Sequence, residues 1–233
     1  MSRPRSGRPL VQQLSNRDIK RVSDFLNNGD SRIADTALDA AEQGFRDWSA
    51  RPAAERAEVL RRTADLYEAH IAELPVIATR EAGKMMFDGI AEVREAVDFL
   101  RFYAGEAEGA DHKARGVIVA ISPWNFPLAI YTGQIAAALA AGNGVLAKPA
   151  EATSLTALVA GALMHEAGVP TDVLQIIPGE GHVAGAALSE AAEIDGVCFT
   201  GSTATAQRIN RSMAAHMDPG APLTAETGGL NAM

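Results

Sequence analysis

Asn125 sits between Trp124 and Phe126 in Ser122-Pro123-Trp124-Asn125-Phe126-Pro127, a loop with a proline towards each end. Prolines stiffen a loop, so the Asn125 amide can be held ready to donate to a developing oxyanion. The plainer reading is an Asn that satisfies its own turn. Glu226 stands just before Gly228 and Gly229, where a carboxyl can serve as a general base or simply be a strand-end surface glutamate. Lys148 and Glu151 leave one segment together in Lys148-Pro149-Ala150-Glu151. A carboxylate can accept from ribose hydroxyls and an ammonium can donate to them; a surface salt bridge is the equally cheap alternative. Thr200-Gly201-Ser202-Thr203 offers a small glycine, hydroxyls and the free N–H groups of a helix start, which suits an anion, though Ser202 also reads as an N-cap. Gly179, Gly181 and Gly185 are spaced one residue off the dinucleotide fingerprint, so that stretch reads either as a cofactor turn or as a plain glycine turn.

Other chemistries find little support. The single cysteine, Cys198, lies inside Val197-Cys198-Phe199, where a thiol packs as a small hydrophobe, and one cysteine supports neither a disulfide framework nor a Cys-rich zinc site. His70, His112, His165, His182 and His216 show no ligand spacing, so no metal is expected. A net charge of −8 over 233 residues disfavours a general nucleic-acid binder. No window has the apolar length of a membrane span. The Arg-rich first ten residues lack the apolar core of a signal peptide. Residues 1–30 are expected to be a disordered tail, and a cytoplasmic location follows from the sparing use of cysteine.

These residues need a scaffold. Forty-five alanines favour helix, and residues 31–115 read as a helical leading segment. One helix spans about 31–48. A second begins after Pro52, with an apolar face from Val59 to Ile77 and a kink at Pro75. A third follows Gly83, with Ile90, Val93, Val97, Leu100 and Phe102 inward and Glu92, Arg94, Glu95 and Asp98 outward. The polar stretch 104–115 reads as one connection. From residue 116 the texture changes to short apolar runs at 117–121, 145–147, 173–177, 197–199 and 222–226, alternating with helices at 128–141, 154–167, 182–190 and 204–215. Strands buried on both faces and alternating with helices imply an α/β fold, a doubly wound, mainly parallel, five-stranded Rossmann-like sheet over 116–233. Ligands of such sheets sit beyond the carboxyl ends of the strands, where each run named above falls.

In combination the motifs are more specific. Ile121-Ser122-Pro123-Trp124-Asn125-Phe126-Pro127-Leu128, Ala140-Ala141-Gly142-Asn143, Lys148-Pro149-Ala150-Glu151, Glu166-Ala167-Gly168-Val169-Pro170, Phe199-Thr200-Gly201-Ser202-Thr203 and Glu226-Thr227-Gly228-Gly229 resemble, in order and spacing, the NAD(P)-dependent aldehyde dehydrogenase superfamily. Within it, Arg80-Glu81-Ala82-Gly83-Lys84, the run from Phe126 to Gln134 and the run from Ala225 to Met233 look like the glutamate-semialdehyde (pyrroline-5-carboxylate) dehydrogenase module of proline utilization A proteins.

The resemblance implies roles. Asn125 matches the oxyanion-hole amide, and Glu226 the base that activates the deacylating water. Lys148 and Glu151 match the adenosine-ribose contacts, Glu151 suggesting NAD rather than NADP. Ser202, with Gly201, matches the pyrophosphate contact, and Gly181 joins this cofactor set. Trp124 lies where the family lines the passage between cofactor and substrate. The substrate implied is a small aldehyde, L-glutamate γ-semialdehyde, oxidised in proline breakdown through a cysteine thiohemiacetal and a thioester. That cysteine falls beyond Glu226 in the family and is missing here, and the catalytic domain that follows is absent too. The segment 105–115 is shorter than the family's dimerisation arm, which leaves a homo-oligomer open. The alternative to an enzyme is an inactive nucleotide-binding module or a non-functional truncation product.

Overall fold

A computed structural model describes residues 32–109 and 113–228. The expected tail, 1–30, lies outside these residues, as do part of the 104–115 stretch and the run from Gly229 onward.

Four helices lead the described residues: α1 (Arg32–Ala50), α2 (Ala53–Ala69), α3 (Leu74–Ala82) and α4 (Met86–Gly109). The expected kink at Pro75 is instead a break. Helix α2 ends at Ala69, and Pro75 falls in the first turn of a new helix, where its missing N–H costs nothing. Gly83 closes α3 at a φ of 67°, a left-handed conformation that favours glycine.

Helix α4 departs further from expectation. It runs through Gly109, so residues 104–109 are helix rather than connection. Ile90 and Phe102 are exposed, and Glu92 is only 1% exposed. The buried stripe is Gly89, Glu92, Val93, Ala96, Val97, Leu100, Ala104 and Ala107, a regular helical spacing. Glu92 lies one turn before Ala96 and therefore on that stripe.

The sheet follows as β1 (Val117–Ile121), α5 (Ala129–Ala140), β2 (Gly144–Lys148), α6 (Ser154–Ala167), β3 (Leu174–Ile176), α7 (Ala186–Glu190), β4 (Gly196–Gly201), α8 (Thr203–His216) and β5 (Leu223–Thr227). A short 3₁₀ turn, Glu151–Thr153, precedes α6, and a π-helical turn, Gly181–Gly185, precedes α7, so the helix expected at 182–190 forms in two pieces. All pairings are parallel, in the order β3-β2-β1-β4-β5. This is a five-stranded α/β sheet of the expected class.

Alternate strand residues feed two cores, as the period of two requires. Ile118, Ala120, Val145, Ala147 and Leu174 pack with α2, α4, α5 and α6 on one face. Val117, Val119, Leu146, Val197 and Phe199 pack with α1, α7 and α8 on the other. The order reverses between β1 and β4, so the connections leave their carboxyl ends in opposite directions and open a crevice there.

Candidate active site

The loop after β1 is tied at both ends. Ser122 N–H donates to the Lys148 carbonyl at 3.2 Å, fastening the loop to β2. At the far end, Leu128 and Ala129 N–H donate to Glu92 Oε2 at 2.9 and 3.2 Å. Glu92 is also ion-paired with Lys84, whose ammonium lies 4.2 Å from the Phe126 ring centroid. Between these ties, Trp124, Asn125 and Phe126 are exposed, so the Asn125 amide faces open space.

That space is a cleft of about 1110 Å³ at the reversal point, lined among others by Trp124, Asn125, Cys198, Gly201, Ser202 and Glu226. Three strand ends contribute. Thr200 of β4 is in register with Glu226 of β5, and Gln134 Nε2 bridges β1 and β4 by donating to the Ile121 carbonyl at 3.3 Å and to Thr200 Oγ1 at 3.1 Å. Ser202 caps α8, its Oγ accepting from Thr205 N–H at 3.1 Å. The N-cap reading is therefore realised, and it places the positive end of a 14-residue helix at the cleft.

Cys198 is half-buried and packs against the larger core. Burial pushes its thiol up from the ordinary value, which lowers the thiolate fraction and so opposes nucleophilic reactivity.

Lys148, Glu151 and Gly181 form a second group, beyond the ends of β2 and β3. Lys148 is 4% exposed, so it is no member of a surface salt bridge. Its ammonium donates to the Pro149 carbonyl at 3.0 Å. Burial lowers its pKa, and Glu151 opposes that shift through space. The Gly181 N–H donates to the Glu151 carboxylate. A Cβ at Gly185 would stand 3.8 Å from Lys148 Cε, so the glycine-rich turn lies directly over the lysine stem. None of these three residues lines the cleft.

Three residues outside the expected site hold it in place. Glu92 anchors the Asn125 loop, Gln134 bridges two strand ends, and Glu81 accepts from Leu155 and Thr156 N–H, fixing the start of α6 after the Glu151 turn. Glu81 and Lys84 lie in the Arg80–Lys84 motif and Gln134 at the end of another, so the signal was present without the roles. Among the described residues, no cluster could hold a metal ion and no helix is long and apolar enough to cross a membrane.

The sequence profile of the aldehyde dehydrogenase family matches residues 15–233. The chain belongs to that family. It is 48% identical over 232 residues to the bifunctional protein PutA of Klebsiella aerogenes, covering 97% of this chain and 18% of that protein. It is 38% identical to the 2-aminomuconic semialdehyde dehydrogenase of Bos taurus, covering 88% of this chain and 45% of that one. Among solved structures, a proline utilization A of Bradyrhizobium japonicum superposes with a TM-score of 0.83 at 43% identity, over 91% of this chain and 24% of that chain. An NAD-dependent benzaldehyde dehydrogenase of Corynebacterium glutamicum superposes at 0.81 and 30%, over 86% and 47%. The chain thus spans less than a fifth of the Klebsiella PutA and under half of the bovine dehydrogenase. The five-stranded sheet matches the family's cofactor-binding part.

Proposed function

We propose that this chain is the cofactor-binding part of an NAD-dependent dehydrogenase that oxidises L-glutamate γ-semialdehyde to L-glutamate in proline catabolism. The observation that carries the reading is that Asn125, from the loop after β1, and Glu226 of β5 line one cleft together with Ser202 at the α8 start. The PutA relatives support a place in proline catabolism.

The second group suits a dinucleotide. A carboxylate held by the Gly181 N–H and a buried ammonium make a donor and acceptor set for a ribose diol. The Ser202 end of α8 suits a pyrophosphate. When bound, the nicotinamide supplies a hydride acceptor. The chain's own residues assist at the reacting centre. The Asn125 amide donates to the aldehyde oxygen as negative charge grows on it. The Glu226 carboxylate takes a proton from the water that releases the acid. Trp124 lines the cleft, at the passage between cofactor and substrate. The attacking thiol comes from sequence outside these residues, because Cys198 lies in a strand with its thiol pushed up.

That burial also supports a second reading, a nucleotide-binding module without activity of its own. The deciding experiment reads the coding DNA beyond the Met233 codon in all three frames and assays the encoded protein for NADH formation from L-glutamate γ-semialdehyde. A frame supplying a cysteine, with NADH formed, supports the enzyme. A stop codon with NAD binding but no NADH leaves the module.

A further inference from the structure

Glu92 and Lys84 come from the helical leading segment, outside the sheet, yet apart from their own pairing every contact described for them goes to one loop. We infer that the Lys84–Glu92 pair is the positioning device for the Asn125 loop, fixing where the oxyanion donor stands; this rests on the role proposed above for Asn125.

The Glu92 carboxylate is divided between two tasks. One oxygen pairs with Lys84, and the other accepts the N–H groups of Leu128 and Ala129 at 2.9 and 3.2 Å. Those N–H groups open α5, where no preceding turn offers them an acceptor, and a negative charge there is favoured by the helix dipole. Leu128 follows Asn125 by three residues, so fixing Leu128 leaves the donor a short tether. Lys84 adds a second grip, because its ammonium sits on the face of Phe126, immediately after Asn125. The loop's other end is already held by Ser122 on β2. The pair therefore decides the closing end.

A buried ion pair adds little net stability against an apolar substitute of similar volume. Its use here is directional. An apolar side chain at position 92 would fill the stripe between Gly89 and Ala96 but could not accept two backbone N–H groups.

The test compares wild type with Glu92→Gln, which keeps an acceptor but loses the charge, and Lys84→Met, which can still lie on Phe126. Amide hydrogen exchange reads Leu128 and Ala129. Acrylamide quenching reads Trp124, since Trp48 is fully buried. NAD titration reads the second group. For Glu92→Gln, exchange at Leu128 and Ala129 should accelerate about tenfold or more, the loss expected for a charge-assisted hydrogen bond. Trp124 quenching should rise in both variants, with β1 and β4 amides and NAD affinity unchanged. In the protein that forms NADH, kcat should fall with the KM for NAD unchanged. Unchanged exchange and quenching in both variants would overturn the inference, as would acceleration spread evenly over the chain. Absence of NADH from wild type would instead overturn the proposed function, and the loop result would still stand or fall by itself.

Discussion

Glu151 and Gly181, thirty residues apart, are joined by a hydrogen bond from the Gly181 N–H to the Glu151 carboxylate. The bond ties the turn after β3 to the turn after β2 and fixes the carboxylate in the loop region beyond the strands. A Cβ at 181 would come 3.4 Å from the same oxygen, an ordinary contact, so the carboxylate packs directly against this turn.

A fixed negative charge at a ribose site accepts from two hydroxyls and repels a 2′-phosphate. Glu151→Gln keeps an acceptor for Gly181 but removes the charge. NAD affinity should fall about tenfold, the share of a charge-assisted bond, and the preference for NAD over NADP should narrow. Calorimetric titration with both cofactors checks this, and an unchanged preference would contradict the ribose role.

In the role proposed for it, Asn125 donates only as charge develops, and Asn125→Ala removes that donor. In the NADH-forming protein kcat should drop by about 10²–10³. NAD affinity should hold, because Asn125 lines the cleft and Lys148, Glu151 and Gly181 do not. A fall in NAD affinity of the same size would move Asn125 from the reacting centre to the cofactor.

The strands and most helices were legible because their signals are local. Val117–Ile121 is an apolar run between Gly116 and Pro123, and the α6 stretch is bounded by Ser154 and Gly168. The site residues were legible as types, and the structure brings Trp124, Asn125, Gly201, Ser202 and Glu226 to one cleft. What the residues hid were the partners. As a charged residue Glu92 is expected in water, although its position one turn before Ala96 puts it on the buried stripe. Its partners Lys84, Leu128 and Ala129 come from two other segments, and no period within α4 announces them. Gln134 was visible only as part of a motif, since its bridge from Ile121 to Thr200 joins strands adjacent in the sheet and far apart in sequence.

Glu81 gives a pH signature. Burial raises its pKa from the ordinary carboxylate value, with hydrogen bonds from Thr156 and Leu155 offsetting part of the shift. The folded state then holds the proton to higher pH than the unfolded chain, so this residue's contribution to stability declines as pH rises from about 4.5 through the raised value. Glu81→Gln cannot ionise and lacks that decline. Urea unfolding across this range should show the variant gaining on wild type as pH rises; a constant difference would contradict the shift.

Cys198 should behave as packing. With its thiol pushed up by burial, alkylation by iodoacetamide at pH 7 should be slower than that of a free thiol and should speed up on unfolding. Cys198→Ala should leave NAD binding and NADH formation unchanged. Loss of NADH formation in that variant would make this cysteine the nucleophile.

Lys148 sets stability against binding. Its ammonium is buried at 4% exposure and, in the described contacts, donates to the Pro149 carbonyl. Burial lowers its pKa from 10.5. Below the lowered value both folded and unfolded chains carry the proton, and the full cost of burying the charge is present. As pH rises from there to 10.5 the unfolded chain alone stays protonated, so the cost fades and stability rises. Lys148→Met removes the charge and the slope together. Its stability relative to wild type should be greatest at neutral pH and should decline towards pH 10.5, read by chemical unfolding at several pH values. A methionine cannot donate to a ribose hydroxyl, so NAD affinity should drop about tenfold or more in the same protein. A variant that gained at neutral pH and still bound NAD as tightly would make Lys148 a structural residue and leave Glu151 alone at the ribose.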